Sequence, residues 1–354
     1  MTSHEYQFRV RDVLRLTFPP LVVMGLFGLL LRALLWAGCL PPPWPALDMD
    51  RVILAHQAEA SRTAPAAGLI LLGDSSCLMN VDPVLLGARL GVEVLNLGTL
   101  SYLDLESSGR LFEEFTRHHQ VAPHAAVLLL HPESLRVRDP SSYHTESLRR
   151  LLAGEDHTDN RSWRGHLSRW LGLETLRGRI LSRLIPAPLS GAYGARYGFT
   201  HDLWRFLEAN RGGAVDPHSF SRREAVGNAE YRLAPALEVE SRGFRRQIPK
   251  PTGLLVGITP APLSFVAPDH AERCRRMTVE WARWLSADLA LTNLPTSWDD
   301  SLFASVTHLN APGRRRYTEL LAKQLRSESE SWVRGAQAQG DVPAHPATPA
   351  RQQP

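Results

Sequence analysis

The sequence predicts an α/β protein in which a parallel sheet is covered by helices on both faces. One observation is a series of short apolar runs bounded by turn residues, at 68–72, 92–97, 125–130, 254–259 and, as a possible fifth, near 289–294. The other is a set of helical stretches between them, roughly 83–90, 103–119, 269–285 and 311–325. Continuous apolar runs are typical of strands buried on both faces, and their alternation with helices favours a parallel sheet.

The first apolar run ends in Gly73-Asp74-Ser75-Ser76. Gly73 allows the backbone to turn sharply where the strand ends. In open α/β sheets, ligands bind beyond the carboxyl ends of the strands, so a site is expected in the loop that carries Ser75. The alternative interpretation is that Asp74, Ser75 and Ser76 only make turn and cap hydrogen bonds.

A histidine late in the chain complements this serine. His308 lies in the segment Thr307-His308-Leu309-Asn310-Ala311-Pro312-Gly313, just ahead of the last long helix. A serine hydroxyl is a poor nucleophile unless a base accepts its proton during attack. Ser75 and His308 are therefore a candidate nucleophile and general base, provided that the fold brings them together.

The segments Gly-Asp-Ser-Ser, Asn96-Leu97-Gly98 and His-Leu-Asn-Ala-Pro-Gly resemble the motifs of the SGNH, or GDSL-type, hydrolase superfamily. The resemblance covers roughly 68–325, with a long middle insertion, and is closest to the membrane-anchored branch that includes alginate and cell-envelope polysaccharide O-acetylation proteins. It implies a three-layer α/β/α fold with Ser75 as nucleophile and His308 as base. It also implies that the backbone N–H groups of Ser75 and Gly98 stabilise the oxyanion.

Two positions depart from the family pattern. Ser305 stands three residues before His308, where the family has an aspartate that orients the imidazole. Either Asp299 or Asp300, just upstream, supplies that carboxylate, or Ser305 leaves a Ser–His dyad. His131 stands where the family has an asparagine that donates to the oxyanion, so it is either a ring donor or an ordinary loop residue.

The N-terminal segment 16–40 is almost wholly apolar, with Arg32 as its one charge. Its length predicts a transmembrane helix, and the arginines before it favour a cytoplasmic N-terminus with the rest of the chain in the periplasm or outside. The expected location is therefore the inner (cytoplasmic) membrane. A buried core helix and a cleaved signal peptide are the alternatives, and the residues before Cys39 also resemble a lipoprotein cleavage box.

The predicted organisation follows from these segments. It comprises a cytoplasmic N-terminus (1–15), a transmembrane anchor (16–40), a linker (41–66), the first part of an SGNH-like domain (67–137), an inserted cap (138–250), the second part (251–326) and a disordered tail (327–354). The cap contains aromatic residues such as Tyr193, Tyr197 and Trp204, which either stack on sugar rings or form local core.

Composition limits the functional classes. The formal net charge is +4, carried almost entirely by arginine. This charge either attracts anionic polysaccharide or lipid head groups or reflects an arginine-biased genome. No basic run with interleaved aromatics indicates nucleic acid. Cys39, Cys77 and Cys274 are too scattered for a disulfide framework or a zinc site, so neither a metal nor another cofactor is expected.

The predicted function is a serine acyltransferase or esterase acting on acetyl esters of cell-envelope or exported polysaccharide. Expected partners are the acylated polysaccharide or acetyl donor and, by resemblance, a multipass membrane acyltransferase contacted through Arg32. One alternative is a catalytically degenerate SGNH fold that binds polysaccharide or acts as a scaffold, and another is a lipid esterase. A carboxylate within hydrogen-bond distance of the His308 ring would favour an enzyme.

Overall fold

The computed structural model describes residues 10–37, 49–119, 122–154, 200–220 and 231–328. Its helices are α1 Val10–Trp36, α2 Met49–Thr63, α3 Ser75–Asn80, α4 Pro83–Leu90, α5 Leu105–His119, α6 Pro132–Arg136, α7 Ser142–Leu152, α8 Thr200–Ala209, α9 Pro235–Gln247, α10 His270–Trp284 and α11 Ala311–Glu328. Its strands are β1 Leu69–Gly73, β2 Val94–Asn96, β3 Ala125–Leu130, β4 Gly253–Ile258, β5 Ala261–Pro262, β6 Leu289–Ala290 and β7 Ser297–Trp298.

The main sheet is parallel throughout, in the order β2-β1-β3-β4-β6. The registers place Leu69 of β1 beside Val94 of β2 on one side and beside Ala125 of β3 on the other. The prediction of an α/β fold with a parallel sheet is confirmed. From β1 the chain adds β2 on one side, and then β3, β4 and β6 on the other side. The boundary between β1 and β3 is therefore a topological switch point, which is where open α/β sheets form their ligand crevice.

Alternate side chains of β1 enter two separate cores. Ile70 and Leu72 belong to a core shared with α2, α5, α9 and α10, whereas Leu69 and Leu71 belong to a core shared with α4 and α11. Successive strand side chains point to opposite faces. A strand that is apolar at every position therefore needs helices on both faces, and this sheet has them.

Part of the region predicted as an inserted cap joins the helical layer. Helix α7 packs against α2 and α5, α8 packs against α2, and α9 packs against α5. Leu203 and Leu207 of α8 are fully buried, and Trp204 is half-buried beside them. Trp204 therefore packs as part of the local core, which was one of the two interpretations of the cap aromatics. Tyr193 and Tyr197 lie outside the described residues, as do 155–199 and 221–230 in general.

At the N-terminus, α1 spans most of the segment predicted to cross a membrane, and Pro19 and Pro20 lie inside it. In the part of the chain that the structure describes, no helix is both long enough and apolar enough to span a bilayer. The prediction of a transmembrane anchor at 16–40 therefore has no support from the structure. The predicted tail after 328 lies outside the described residues.

Candidate active site

Asp74 ties together the carboxyl ends of two strands. Its Oδ1 accepts hydrogen bonds from the backbone N–H of Ser76 at 2.9 Å and from the Ser76 hydroxyl at 2.6 Å. Its Oδ2 accepts from the backbone N–H of His131 at 3.0 Å and from the Ser134 hydroxyl at 2.5 Å, both just after β3. Thr259, after β4, donates to the Ser76 hydroxyl oxygen at 2.8 Å. Asp74 and Ser76 therefore make turn and cap hydrogen bonds, which leaves Ser75 for another role.

Gly73 sets the path that the chain takes into Ser75. Its φ of 141° is a conformation that side-chain-bearing residues rarely adopt. A Cβ at this position would lie 1.8 Å from the carbonyl oxygen of Leu129 in β3. This close turn delivers Ser75, half-buried, to the first position of α3 at the switch point of the sheet.

The fold brings Ser75 and His308 into contact. The His308 Nε2 lies 2.9 Å from the Ser75 Oγ. Asn80, at the end of α3, holds the histidine loop from both sides, because its Nδ2 donates to the Thr307 carbonyl and its Oδ1 accepts from the Leu309 backbone N–H. The serine and the histidine are thus fixed to opposite ends of one short helix.

The other nitrogen of the ring contacts a carboxylate that the sequence did not indicate. His308 Nδ1 lies 2.6 Å from Asp216 Oδ2, and the two side chains are 12% and 2% exposed. A neutral imidazole donates from one nitrogen and accepts at the other. With Nδ1–H donating to Asp216, Nε2 accepts the Ser75 proton. Ser75, His308 and Asp216 thus form the hydrogen-bonded chain of a Ser–His–Asp triad.

Asp216 is held in its ionised form. Burial raises the pKa of this carboxyl, but the hydrogen bond and charge interaction with His308 and two bonds from His218 outweigh burial, so that the pKa is well below its usual value. Its Oδ1 accepts from the backbone N–H of His218 at 2.8 Å and lies 2.6 Å from the ring Nδ1 of the same residue. Both carboxylate oxygens are therefore occupied.

The segment that carries Asp216 is fastened to the rest of the site. After α8 the chain turns with a φ of 82° at Gly212, whose carbonyl accepts from the Gln57 side chain at 3.2 Å. The Ala214 backbone N–H then donates to the Leu78 carbonyl of α3 at 3.0 Å. Because Ser75 begins α3, this bond fixes Asp216 relative to the nucleophile.

The carboxylates that the sequence offered lie elsewhere. Asp299 caps the short 3-10 turn that follows it, and Asp300 Oδ1 accepts from the Ser264 backbone N–H at 3.1 Å. Ser305 accepts from the backbone N–H of His308 at 3.2 Å, so it shapes the loop and does not contact the ring. Neither Asp299 nor Asp300 supplies the carboxylate at the His308 ring, because the ring Nδ1 contacts Asp216 and both predicted carboxylates bind backbone N–H groups elsewhere.

The sequence around Asp216 marks it as a turn residue and not as a partner of His308. The apolar pair Ala214-Val215 follows two glycines shortly after an amphipathic stretch, and it leads directly into Asp216-Pro217. An apolar pair that ends in Asp-Pro is also a common turn pattern. Nothing local linked this aspartate to His308, which lies 92 residues later.

The predicted oxyanion donors have different environments. The Gly98 backbone N–H donates to the Asn96 side-chain oxygen at 2.8 Å, so it is not available to an oxyanion in this structure. The Gly98 carbonyl is held by Gln57 at 2.6 Å. The Ser75 backbone N–H is in the first turn of α3, where N–H groups have no intrahelical acceptor. The carboxylate of the N-cap residue Asp74 accepts from the backbone N–H of Ser76 and not from that of Ser75.

His131 is a buried neutral ring. Burial is the main reason that its pKa is lowered to about 3, and the charge of Asp74 only partly opposes this. Its Nδ1 accepts from the Glu133 backbone N–H at 3.3 Å, so the ring proton is on Nε2. Among the described residues, that Nε2–H has no hydrogen-bond partner. A ring donor therefore exists at the end of β3.

Within the described ranges, no group of three or more His, Cys, Asp or Glu side chains has the geometry of a metal site. Cys77 is close to Ser75 in sequence but is fully buried, and burial raises the pKa of its thiol. Comparison with protein-family models, curated proteins and solved structures finds no match to this chain.

Proposed function

We propose that this protein is a serine acyl-transfer enzyme in which Ser75 attacks an ester, His308 moves the proton and Asp216 supports the histidine. The observation that carries the proposal is the pair of contacts on one imidazole, 2.9 Å to a hydroxyl and 2.6 Å to a buried carboxylate. A histidine with a purely structural role has no need of a nucleophile on one nitrogen and an ionised acid on the other.

The acylation step follows from this geometry. Ser75 Oγ forms a bond to the carbonyl carbon of the ester while its proton passes to His308 Nε2, and the carbonyl π electrons move to the oxygen. The charged imidazolium is stabilised by the Asp216 carboxylate at Nδ1. Collapse of the tetrahedral intermediate breaks the bond to the leaving alcohol, which takes the proton from Nε2, and the acyl group remains on Ser75.

The second half-reaction decides between two activities. If water attacks the acyl-serine, the protein is an esterase; if a sugar hydroxyl attacks, it is an acyltransferase. In either case His308 accepts the proton of the attacking oxygen and returns it to Ser75. The resemblance to polysaccharide O-acetylation proteins favours an acetyl group as the acyl group, an exported polysaccharide as acceptor or substrate, and transfer over hydrolysis.

The compartment and the membrane partner are inferred from the same resemblance. We infer an exported protein that works beside a multipass membrane acyltransferase. Cell fractionation tests the compartment, and purification from detergent extracts tests the partner. Recovery of the chain in the cytosolic fraction without a co-purifying membrane protein would contradict both inferences.

The activity itself is tested with full-length protein and p-nitrophenyl acetate. Wild type should release p-nitrophenol and carry an acetyl group on the Ser75 peptide in quenched samples, as read by mass spectrometry. Ser75→Ala and His308→Ala should abolish both signals. Ser301→Ala, which removes an exposed hydroxyl of a neighbouring loop, is the matched control and should behave as wild type.

A second candidate is a non-catalytic, polysaccharide-binding or scaffold protein with an SGNH-like fold. The observation in its favour is the engagement of the Gly98 N–H by Asn96, which removes one predicted oxyanion donor. It predicts that wild type and Ser75→Ala are equally inactive and equally able to retain a polysaccharide in an affinity-gel assay. Turnover that depends on Ser75 would eliminate it.

A further inference from the structure

We propose that the hydroxyl of Ser101 is an oxyanion donor of this site, in the role that the resemblance implied for the Gly98 N–H. The inference rests on the proposed function, because it concerns the transition state of the reaction at Ser75. It identifies Ser101 as a catalytic residue that neither the motif pattern nor the spacing of the sequence indicated.

The need for such a donor arises from the geometry around Gly98. Its N–H donates at 2.8 Å to Asn96, and a Cβ at Gly98 would lie 2.7 Å from the Leu78 backbone nitrogen, so the backbone is packed tightly against α3. Reorientation of this N–H toward a substrate would break that bond in a fully buried segment. Of the two backbone donors that the resemblance implied, only the Ser75 N–H would then face the negative charge that develops on the substrate oxygen.

Ser101 is within reach of that charge. Its Oγ lies 3.0 Å from the Ser75 Oγ, and its side chain is exposed, whereas Ser75 is half-buried. Because His308 Nε2 accepts the Ser75 proton, the Ser75 oxygen accepts the Ser101 proton. In the tetrahedral intermediate the oxyanion and the Ser75 Oγ are bonded to the same carbon. The oxyanion therefore forms next to the oxygen that Ser101 already contacts, and the Ser101 hydroxyl turns toward it as the intermediate forms.

The loop that carries Ser101 is anchored on both sides. The Thr99 backbone N–H donates to the Gly73 carbonyl at 2.9 Å, and the Ser141 backbone N–H donates to the Tyr102 carbonyl at 2.7 Å. The donor hydroxyl is thus placed before substrate arrives. Preorganisation of this kind is what makes an oxyanion donor effective, since no reorganisation is required during the reaction.

The inference is tested with Ser101→Ala and Ser101→Thr in the full-length protein, with Ser327→Ala as a control that removes a hydroxyl at the far end of α11. With p-nitrophenyl acetate, Ser101→Ala should lower kcat by about 10²-fold while KM changes by less than about twofold. Ser101→Thr retains the hydroxyl and should recover most of kcat.

A tetrahedral inhibitor separates an oxyanion donor from a residue that only positions Ser75. An alkyl boronic acid adds to the serine oxygen and places a negatively charged tetrahedral group where the intermediate would be. Its affinity should fall in Ser101→Ala by about the same factor as kcat/KM. Thermal unfolding of each variant verifies that the fold is retained.

Three results would overturn the inference. In the first, wild type turns over and Ser101→Ala matches it in kcat, which would leave the ring of His131 or the Ser75 N–H as the donors. In the second, kcat falls while boronate affinity is unchanged, which would make Ser101 a positioning residue. In the third, wild type is no more active than Ser75→Ala, and the proposed function fails together with the inference.

Discussion

Replacement of Asp216 by asparagine tests the one residue of the candidate triad that only the folded structure identified. The substitution keeps the size and shape of the side chain but removes its charge. The backbone N–H of His218 donates to one oxygen of Asp216, so an amide in its place turns its own oxygen toward that donor. Its NH₂ group then faces His308 Nδ1 and forces the ring into the tautomer that carries its proton on Nε2. A ring protonated there cannot accept the Ser75 proton.

The size of the effect follows from the charge pair that forms during the reaction. The Nδ1–Oδ2 distance is 2.6 Å, and both side chains are mostly shielded from water. With charge centres about 4 Å apart and an effective dielectric constant of about 20, the attraction between imidazolium and carboxylate is about 4 kcal/mol. This corresponds to a loss of about 10³-fold in kcat/KM, and the wrong tautomer increases it toward about 10⁴-fold.

The assay is p-nitrophenyl acetate hydrolysis by wild type, Asp216→Asn, Asp299→Asn and Asp300→Asn. The last two are matched controls, since each removes one carboxylate charge close in sequence to His308 without contact with its ring. We expect both controls to retain kcat/KM within about twofold. Retention of wild-type activity by Asp216→Asn, or an equal loss in Asp299→Asn, would refute the assignment of the acid.

Three further predictions concern stability and reactivity. Burial lowers the pKa of His131 to about 3 and that of His56 to about 4, so the unfolded chain binds protons that the folded chain does not. The free energy of unfolding should therefore fall as pH drops from about 6.5 toward 4, by about 1.4 kcal/mol per pH unit for each ring. In urea unfolding at pH 7, 6 and 5, His131→Asn should reduce the dependence of the unfolding free energy on pH by about the contribution of one ring. The same pH dependence in wild type and His131→Asn would contradict this. Gly73→Ala should lower the free energy of unfolding by about 3 kcal/mol or more, because the new Cβ would lie 1.8 Å from a backbone carbonyl oxygen. Gly91→Ala, which has open space around its new Cβ, should lower it by only about 1 kcal/mol. Equal losses in the two variants would show that the clash at Gly73 is relieved. Cys77 should resist iodoacetamide in the native protein and react after unfolding, since burial raises the pKa of its thiol, and rapid native labelling would argue against the buried position.

The features that the sequence determined are those with a local physical cause. The apolar run 68–72 forms a strand because every side chain in it can be buried on one face or the other, and Gly73 follows because only glycine tolerates the turn. Ser75 at the end of that strand and His308 ahead of α11 could be identified for the same reason. Each is marked by residues next to it in the chain.

The tertiary structure decided what depends on contacts between distant segments. Asp216 became the partner of His308 because α8 packs on α2 and its following turn is bonded to α3, and no sequence spacing encodes that docking. The side chain of Asn96 could have faced solvent or substrate, yet it binds the Gly98 N–H. Local patterns report which residues can begin or end an element, whereas the partner of a buried polar group is set by which elements pack together.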